Sequence, residues 1–295
     1  MRIIDNSLEG TGINHYAKAL SYYLEIQYDN IYNPKHYYIS GVLNKLKKHI
    51  GKPLNDTAIF SNFMAVNRRY KKEYLVIHDT FLWDYGKWYE RLFFLFMNIF
   101  EDMDKVFVSN YTKGKYGEGY VIYPFLYEGF YRIKPYPRDN YFLIDSGNYP
   151  NKNIPEYIQV IKANHDINFK KLGGYIGDFE NVKYYYNLPY SSLPIVYSSS
   201  RVLLYLTKDE GFGYPLAQAM ISRTPVIMKD IEINREIYGS AKYYDNEIID
   251  SNKKINREIL EDMVQDKDFL EKKEKRIRDM VDPEKLKSQW WSVLK

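Results

Sequence analysis

Residues 207–220, TKDEGFGYPLAQAM, place an acid at the end of an apolar run, then two glycines and a proline, then a helix-forming stretch. Gly211 and Gly213 let the main chain turn sharply and come close to a ligand. Pro215 suits a first helical turn, where a missing N–H costs nothing. The N–H groups of such a helix start, together with the helix dipole, favour an anion such as a diphosphate. Phe212 and Tyr214 fill the turn itself. Glu210 stands at the mouth of the strand, and Gln218 lies inside the helix with a side chain that leans back toward the N-terminus. One polar group would then sit near each end of an extended ligand. The turn taken alone is equally compatible with an ordinary strand-to-helix connection.

The elements needed to position these residues alternate along the chain. RIID opens as a strand, and GTG turns it into a helix with Ile13, Tyr16, Ala17, Leu20 and Leu24 on one face. YLVIH (74–78) and KVFVS (105–109) are compact apolar runs of the buried-strand kind, and 86–103 between them is long enough for a helix. YVIYP (120–124) reads as a further strand. YRIKPYPRDN (131–140) has the prolines and mixed charge of a linker. The alternation then restarts: strand 141–145, helix 154–164, a strand ending in a turn at FKKLGGYIG, a short helix at SSLPIVYSSS, strand 201–206, the quoted turn and helix, and strand 225–228. A charged helical tail runs from about 255 to SQWWSVL.

Two such halves predict two doubly wound α/β domains, one over 1–134 and one over 140–280. The last helix, 281–295, is compatible with crossing back to the first domain or with plain core packing. A pair of such domains makes its best pocket in the cleft between them. Dehydrogenases, periplasmic-type binders and nucleotide-sugar transferases all share that layout.

The wider context is more specific. Residues from YSSLPIVYSSS through RVLLYLTKDEGFGYPLAQAM to TPVIMKDIEINREIYG resemble the nucleotide-sugar-binding half of retaining glycosyltransferases of family 4, also called group 1, which have the GT-B fold. The resemblance covers most of 140–245. It implies two Rossmann-like domains facing across a cleft, with Glu210 on the donor sugar near its anomeric carbon and position 218 on the nucleotide ribose. Gln218 stands where the family usually has glutamate; an amide still donates and accepts but gives no charge-assisted bond. SGNYPNKNIPEYI (146–158) resembles the family's phosphate-binding segment, with Lys152 as its lysine and Asn148 near the place of its arginine. Loss of one cation should raise the barrier to a leaving diphosphate.

The first half resembles the family more loosely. In EGTGINHYAKAL, Gly10 and Gly12 match a glycine-rich loop before the first helix, and in VIHDTFLWDY the resemblance puts His78, with Asp79 beside it, toward the donor sugar. Ser109 in VFVSNYTKGKY reads as a helix cap. Glu236 falls on a recurrent family acid with a structural role. Asp102 and Asp104 in EDMD read as a solvated helix end; no metal site is expected, because GT-B enzymes generally hold the diphosphate with cations and main-chain N–H groups.

The bulk properties narrow the classes. The chain has 295 residues, and its 42 basic and 38 acidic side chains are too balanced for a dedicated nucleic-acid binder. It has no cysteine, so disulfides, zinc thiolates and thiol nucleophiles are excluded. MRIIDNSLEG has no apolar core of a signal peptide. The longest apolar run, LFFLFMNIF (92–100), is about half a membrane span, a buried helix or a membrane-touching one. A cytoplasmic protein is expected, with peripheral membrane contact left open, and 32 tyrosines without cysteine point to an archaeal or viral source. The expected substrates are a nucleotide-diphosphate sugar and a glycan, lipid or protein acceptor, with no cofactor and no divalent metal. Two alternatives stay open: a catalytically weakened nucleotide- or sugar-binding relative, and a Rossmann dehydrogenase, for which GTGINHY lacks the third glycine.

Overall fold

The computed structural model describes residues 1–8, 11–32, 54–62, 65–66, 70–79, 84–85, 88, 91, 103–134, 136–186 and 188–295. Gly10, Asp102 and the apolar run 92–100 lie outside the described residues, as does most of the helix expected over 86–103. Two compact units are present: residues 1–126 with 281–295, and residues 127–280.

The first unit is built on a parallel sheet in the order β2-β1-β3-β4-β5-β6. Its strands are β1 (Arg2–Asp5), β2 (Gln27–Asn30), β3 (Leu54–Phe60), β4 (Tyr70–Ile77), β5 (Asp104–Phe107) and β6 (Tyr120–Val121). The register pairs Ile3 with Tyr28 on one side and with Ile59 on the other, then Ile59 with Tyr74 and Leu75 with Lys105. Helix α1 (Gly12–Leu24) is started by Thr11, whose side chain accepts from the Asn14 N–H, and it buries Asn14, Tyr16, Ala17, Leu20 and Leu24. Helix α2 (Asn110–Tyr116) is capped by Ser109, whose hydroxyl accepts from the Thr112 N–H at 3.0 Å. The run expected as a strand over 120–124 is strand only at 120–121, because its continuation leaves the sheet.

The second unit repeats the plan with the order β11-β10-β7-β8-β9, all parallel. The strands are β7 (Tyr141–Asp145), β8 (Asn168–Leu172), β9 (Val182–Tyr185), β10 (Val202–Tyr205) and β11 (Val226–Met228). The helices are α3 (Glu128–Arg132), α4 (Ile154–Ala163), α5 (Leu193–Ser199), α6 (Tyr214–Ile221), α7 (Glu232–Tyr238), α8 (Asp245–Ile248), α9 (Arg257–Gln265) and α10 (Lys267–Met280). Strand β10 is wholly buried, as its continuous apolar sequence requires. The unit boundary falls at 126/127, ahead of the prolines at 135 and 137, since Phe130 of α3 packs edge-on against Tyr197 of α5 at 5.8 Å.

Helix α11 (Pro283–Leu294) belongs to the first unit. It packs on α1, buries Leu286, Trp290 and Leu294, and its Val293 carbonyl accepts from the Tyr74 hydroxyl of β4 at 2.8 Å. In each unit the chain moves outward from the first strand and then returns to that strand's other side. That reversal lies between β1 and β3 in the first unit and between β7 and β10 in the second. Ligands of open α/β sheets bind outside the carboxyl ends of the strands at such a reversal.

Candidate active site

In the second unit the carboxyl ends of β7, β8 and β10 gather Asp145, Lys171 and the turn that carries Glu210. The 3-10 turn Pro150–Lys152 follows β7, and Asn153, in the left-handed conformation, turns it into α4. That geometry lays the Lys152 ammonium against the Glu210 carboxylate as an ion pair, with both side chains largely enclosed. The Thr207 hydroxyl donates to the same Glu210 oxygen at 3.1 Å. Asn151 secures the turn from below, its amide donating to the Asp209 carbonyl at 2.9 Å.

The Gly-Phe-Gly turn is enforced by packing. Gly213 has φ +82, and a Cβ there would stand 2.8 Å from the Tyr205 hydroxyl oxygen. Phe212 is buried and meets Tyr214 edge-on at 5.6 Å. Gly213 starts α6 without any side-chain cap, and Pro215 lies in its first turn. Gln218 is buried within α6, its amide 3.5 Å from the Tyr190 hydroxyl. Asn148 is exposed and donates to the Tyr175 carbonyl at 2.8 Å, which joins the loop after β7 to the loop after β8.

Two charged groups of this cluster have no distinctive local motif. Burial pushes the Asp145 carboxyl above its usual range, while the Tyr197 hydroxyl donating to it at 2.5 Å and the Lys171 and Lys152 charges pull it back. Lys171 is fully buried. A signal for it exists: in a strand read as Phe-Lys-Lys-Leu, alternation puts Lys171 on the same face as Phe169, which is core.

The first unit holds a second polar cluster at the carboxyl ends of β1, β3 and β4. Asp5 is buried and accepts from Ser7, Asn14 at 3.1 Å, Tyr28 at 3.1 Å and Ser61 at 2.5 Å. His78 follows β4, its ring 4.6 Å from that of Tyr16 and perpendicular to it. Burial lowers the imidazole to about 4, against the ring N–H donating to the Ser61 main chain and the Asp5 charge, both of which raise it, so His78 is neutral. Among the described residues its Nε2 and the Tyr16 hydroxyl are buried without a hydrogen-bond partner. Asp79 is exposed beside it. Gly12 is the first residue of α1, and a Cβ there would meet nothing within 4 Å. Lys152, Glu210, Gly211, Phe212, Gly213, Tyr214, Pro215, Gln218 and Asn148 therefore belong to the second unit, where Lys152 and Glu210 meet directly, while His78, Asp79 and Gly12 belong to the first. Among the described residues no group of His, Cys, Asp or Glu has the arrangement of a metal site, and none of their helices is long and apolar enough to cross a membrane.

Residues 175–279 match the family Glycosyl transferases group 1, a span that includes the Glu210 turn and Gln218 but not Lys152. The O-antigen chain mannosyltransferase RfbU of Salmonella typhimurium is 30% identical over 128 residues, which cover 39% of this chain and 36% of the relative. The chain thus spans little more than a third of that curated relative's length. Sucrose-phosphate synthase from Thermosynechococcus elongatus superimposes with a TM-score of 0.69 at 14% identity, over 100% of this chain and 98% of its own. The Anabaena protein HepE, in complex with UDP and glucose, gives 0.68 at 12% identity over 99% and 98%. At these identities the likeness is one of fold: α/β with parallel sheets in two Rossmann-like units, the GT-B class.

Proposed function

We propose that this chain is a glycosyltransferase that binds a nucleotide-diphosphate sugar on its second unit and passes the sugar to an acceptor hydroxyl with retention at the anomeric carbon. The observation that carries the reading is the Lys152–Glu210 pair beside the uncapped start of α6, inside a fold and partly inside a segment shared with glycosyltransferases. Lys152 exchanges Glu210 for the diphosphate, and main-chain N–H groups at the start of α6 share that charge. Glu210, released from Lys152, accepts hydrogen bonds from the sugar hydroxyls. Gln218 is assigned to the ribose, Asn148 to the diphosphate loop, and His78 to positioning the sugar.

The reaction moves one bond for another. The acceptor oxygen attacks the anomeric carbon while the bond from that carbon to the phosphate oxygen breaks, its electron pair leaving with the diphosphate. The acceptor proton passes to the departing phosphate on the same face, and the transition state resembles an oxocarbenium ion. No carboxylate nucleophile and no divalent metal is required in this scheme. Mannose is the first sugar to test, given RfbU, and glucose the second, given HepE. Acceptors of glycan, lipid or protein type remain within the proposal.

The test is calorimetric titration with UDP, GDP and ADP and with their sugar conjugates, first without and then with magnesium. The expected outcome is saturable, metal-independent binding of one nucleotide, lost in Lys152→Ala. Glu210→Ala should weaken the sugar conjugate but not the bare nucleotide, by about tenfold or more, the size of a hydrogen bond to a charged group. Lack of binding to every nucleotide would overturn the donor site.

A further inference from the structure

The second unit buries an ammonium group that the scheme above does not use. Lys171 of β8 is 0% exposed. A buried cation is costly and is kept where its charge is answered. Its Nζ donates to the Ser146 carbonyl and, at 2.6 Å, to the Leu172 carbonyl. An ammonium has three donors, and the third finds no partner among the described residues. The Ser146 carbonyl belongs to the loop that follows β7 and the Leu172 carbonyl to the last residue of β8, so one side chain ties that loop to the end of the neighbouring strand. Asn148 then joins the same loop to the loop after β8 from the solvent side. Gly173, at φ +83, keeps the gap closed: a Cβ there would meet the Ser146 carbonyl at 2.7 Å and stand 3.7 Å from the Lys171 ammonium.

Charge balance gives this lysine a purpose. The titratable groups around it are Asp145 at the end of β7, Lys152 on the turn that follows, and Glu210 beyond β10, which faces Lys152 and Asp145. With Lys171 uncharged, two acids would face one base, and a diphosphate would meet a net negative site. With it charged, the cluster is balanced before the ligand arrives.

We propose that Lys171 is a positioning residue of the donor site, holding the loop after β7 to the end of β8 and carrying the charge that lets a sugar diphosphate settle beside Lys152. The inference rests on the donor reading above. It also makes affinity depend on pH. Burial lowers the Lys171 ammonium to about 8, with Asp145 raising it and Lys152 lowering it further, so the charge disappears not far above neutrality.

The experiment is a calorimetric titration of the full chain with UDP-glucose and with GDP-mannose, from about pH 6.5 to about pH 9, on wild type, Lys171→Met and Lys171→Arg, with a thermal melt of each. Wild-type affinity should fall above about pH 8, approaching tenfold per pH unit, because the bound form needs a proton the free protein has lost. Lys171→Met should bind at least about tenfold more weakly at neutral pH and show no such fall. Its melting temperature should fall, since two buried carbonyls lose their donor and Asp145 its neighbouring cation, while a cooperative melt shows that the loss of binding is not unfolding. Lys171→Arg, charged throughout, should bind and flatten the profile. Wild-type affinity in Lys171→Met at neutral pH, or one shared profile for wild type and Lys171→Arg, overturns the proposal. If Lys171→Met fails to fold, the comparison of wild type with Lys171→Arg still decides. No binding of either sugar nucleotide by wild type at any pH overturns the donor reading and this inference with it, whereas binding with an unmoved variant profile overturns the inference alone.

Discussion

His78 and Lys171 are both bases whose protonation is opposed by burial, and they act on stability at opposite ends of the pH range. An unfolded imidazole takes up a proton near 6.5, and the folded one resists it until about 4. The unfolded chain therefore binds the extra proton in that window. Stability from His78 is complete above about 6.5 and is lost as pH falls toward 4. Thermal melts across this window should show wild type weakening and His78→Gln weakening less; equal slopes would remove His78 as the source. For Lys171 the window lies between about 8 and the ordinary 10.5, where the unfolded lysine holds a proton the folded one has released, so stability rises with pH. Lys273 does the same from about 8, its ammonium buried between the Tyr238 and Phe269 rings and donating to the Tyr238 carbonyl at the end of α7. Among the described lysines the alkaline rise thus has two sources, and the Lys171 share is the part that Lys171→Met removes.

Among the elements, the turn 210–213 is where sequence and geometry agree most closely. Its glycine is required on two counts, a left-handed φ and the Tyr205 hydroxyl. Gly213→Ala should cost about 1–3 kcal/mol for the backbone conformation alone, more with the clash. Tyr205→Phe on the same background should recover the clash and leave the conformational part, which a double-mutant cycle by urea unfolding separates. Strands β1, β4, β5, β7, β10 and β11 were legible as apolar runs, and α1, α4 and α6 as helices, because each has its pattern within a few consecutive residues. Strands β2 and β9 are sheet edges with sequences QYDN and VKYY, and neither is fully buried at any position, so no periodicity marked them. Strand β3 begins on two exposed residues, Leu54 and Asn55, and shows its core face only at Ala58–Phe60. The Glu210 turn could be read because its parts are contiguous. Asp145 could not, since only the pairing of β7 with β8 brings it opposite Leu172, and the alternation of β8 marks Lys171 as inward-facing without showing that Asp145 lies near it.

At the scale of the molecule, residues 281–295 belong to the unit that the chain left at residue 126. Trp290 is fully buried there, and Trp290→Ala should cost about 3–5 kcal/mol, the usual range for emptying such a site. Ending the chain after Met280 should do more. Hydrogen exchange would then rise at β1, β3 and β4 and stay low at β7 and β10, whose unit is intact. Loss of protection in both units together would show that they unfold as one.

The returning helix also sets an order of events at the ribosome. The second unit is fully translated before α11 exists, while the first still waits for its last piece. Counted from residue 126 to residue 281, that wait is on the order of ten seconds or more at ordinary elongation rates. Through that interval the nascent chain keeps the faces of α1 and β4 that α11 will cover open to chaperones, and a chain released early would pair a finished second unit with an unclosed first one.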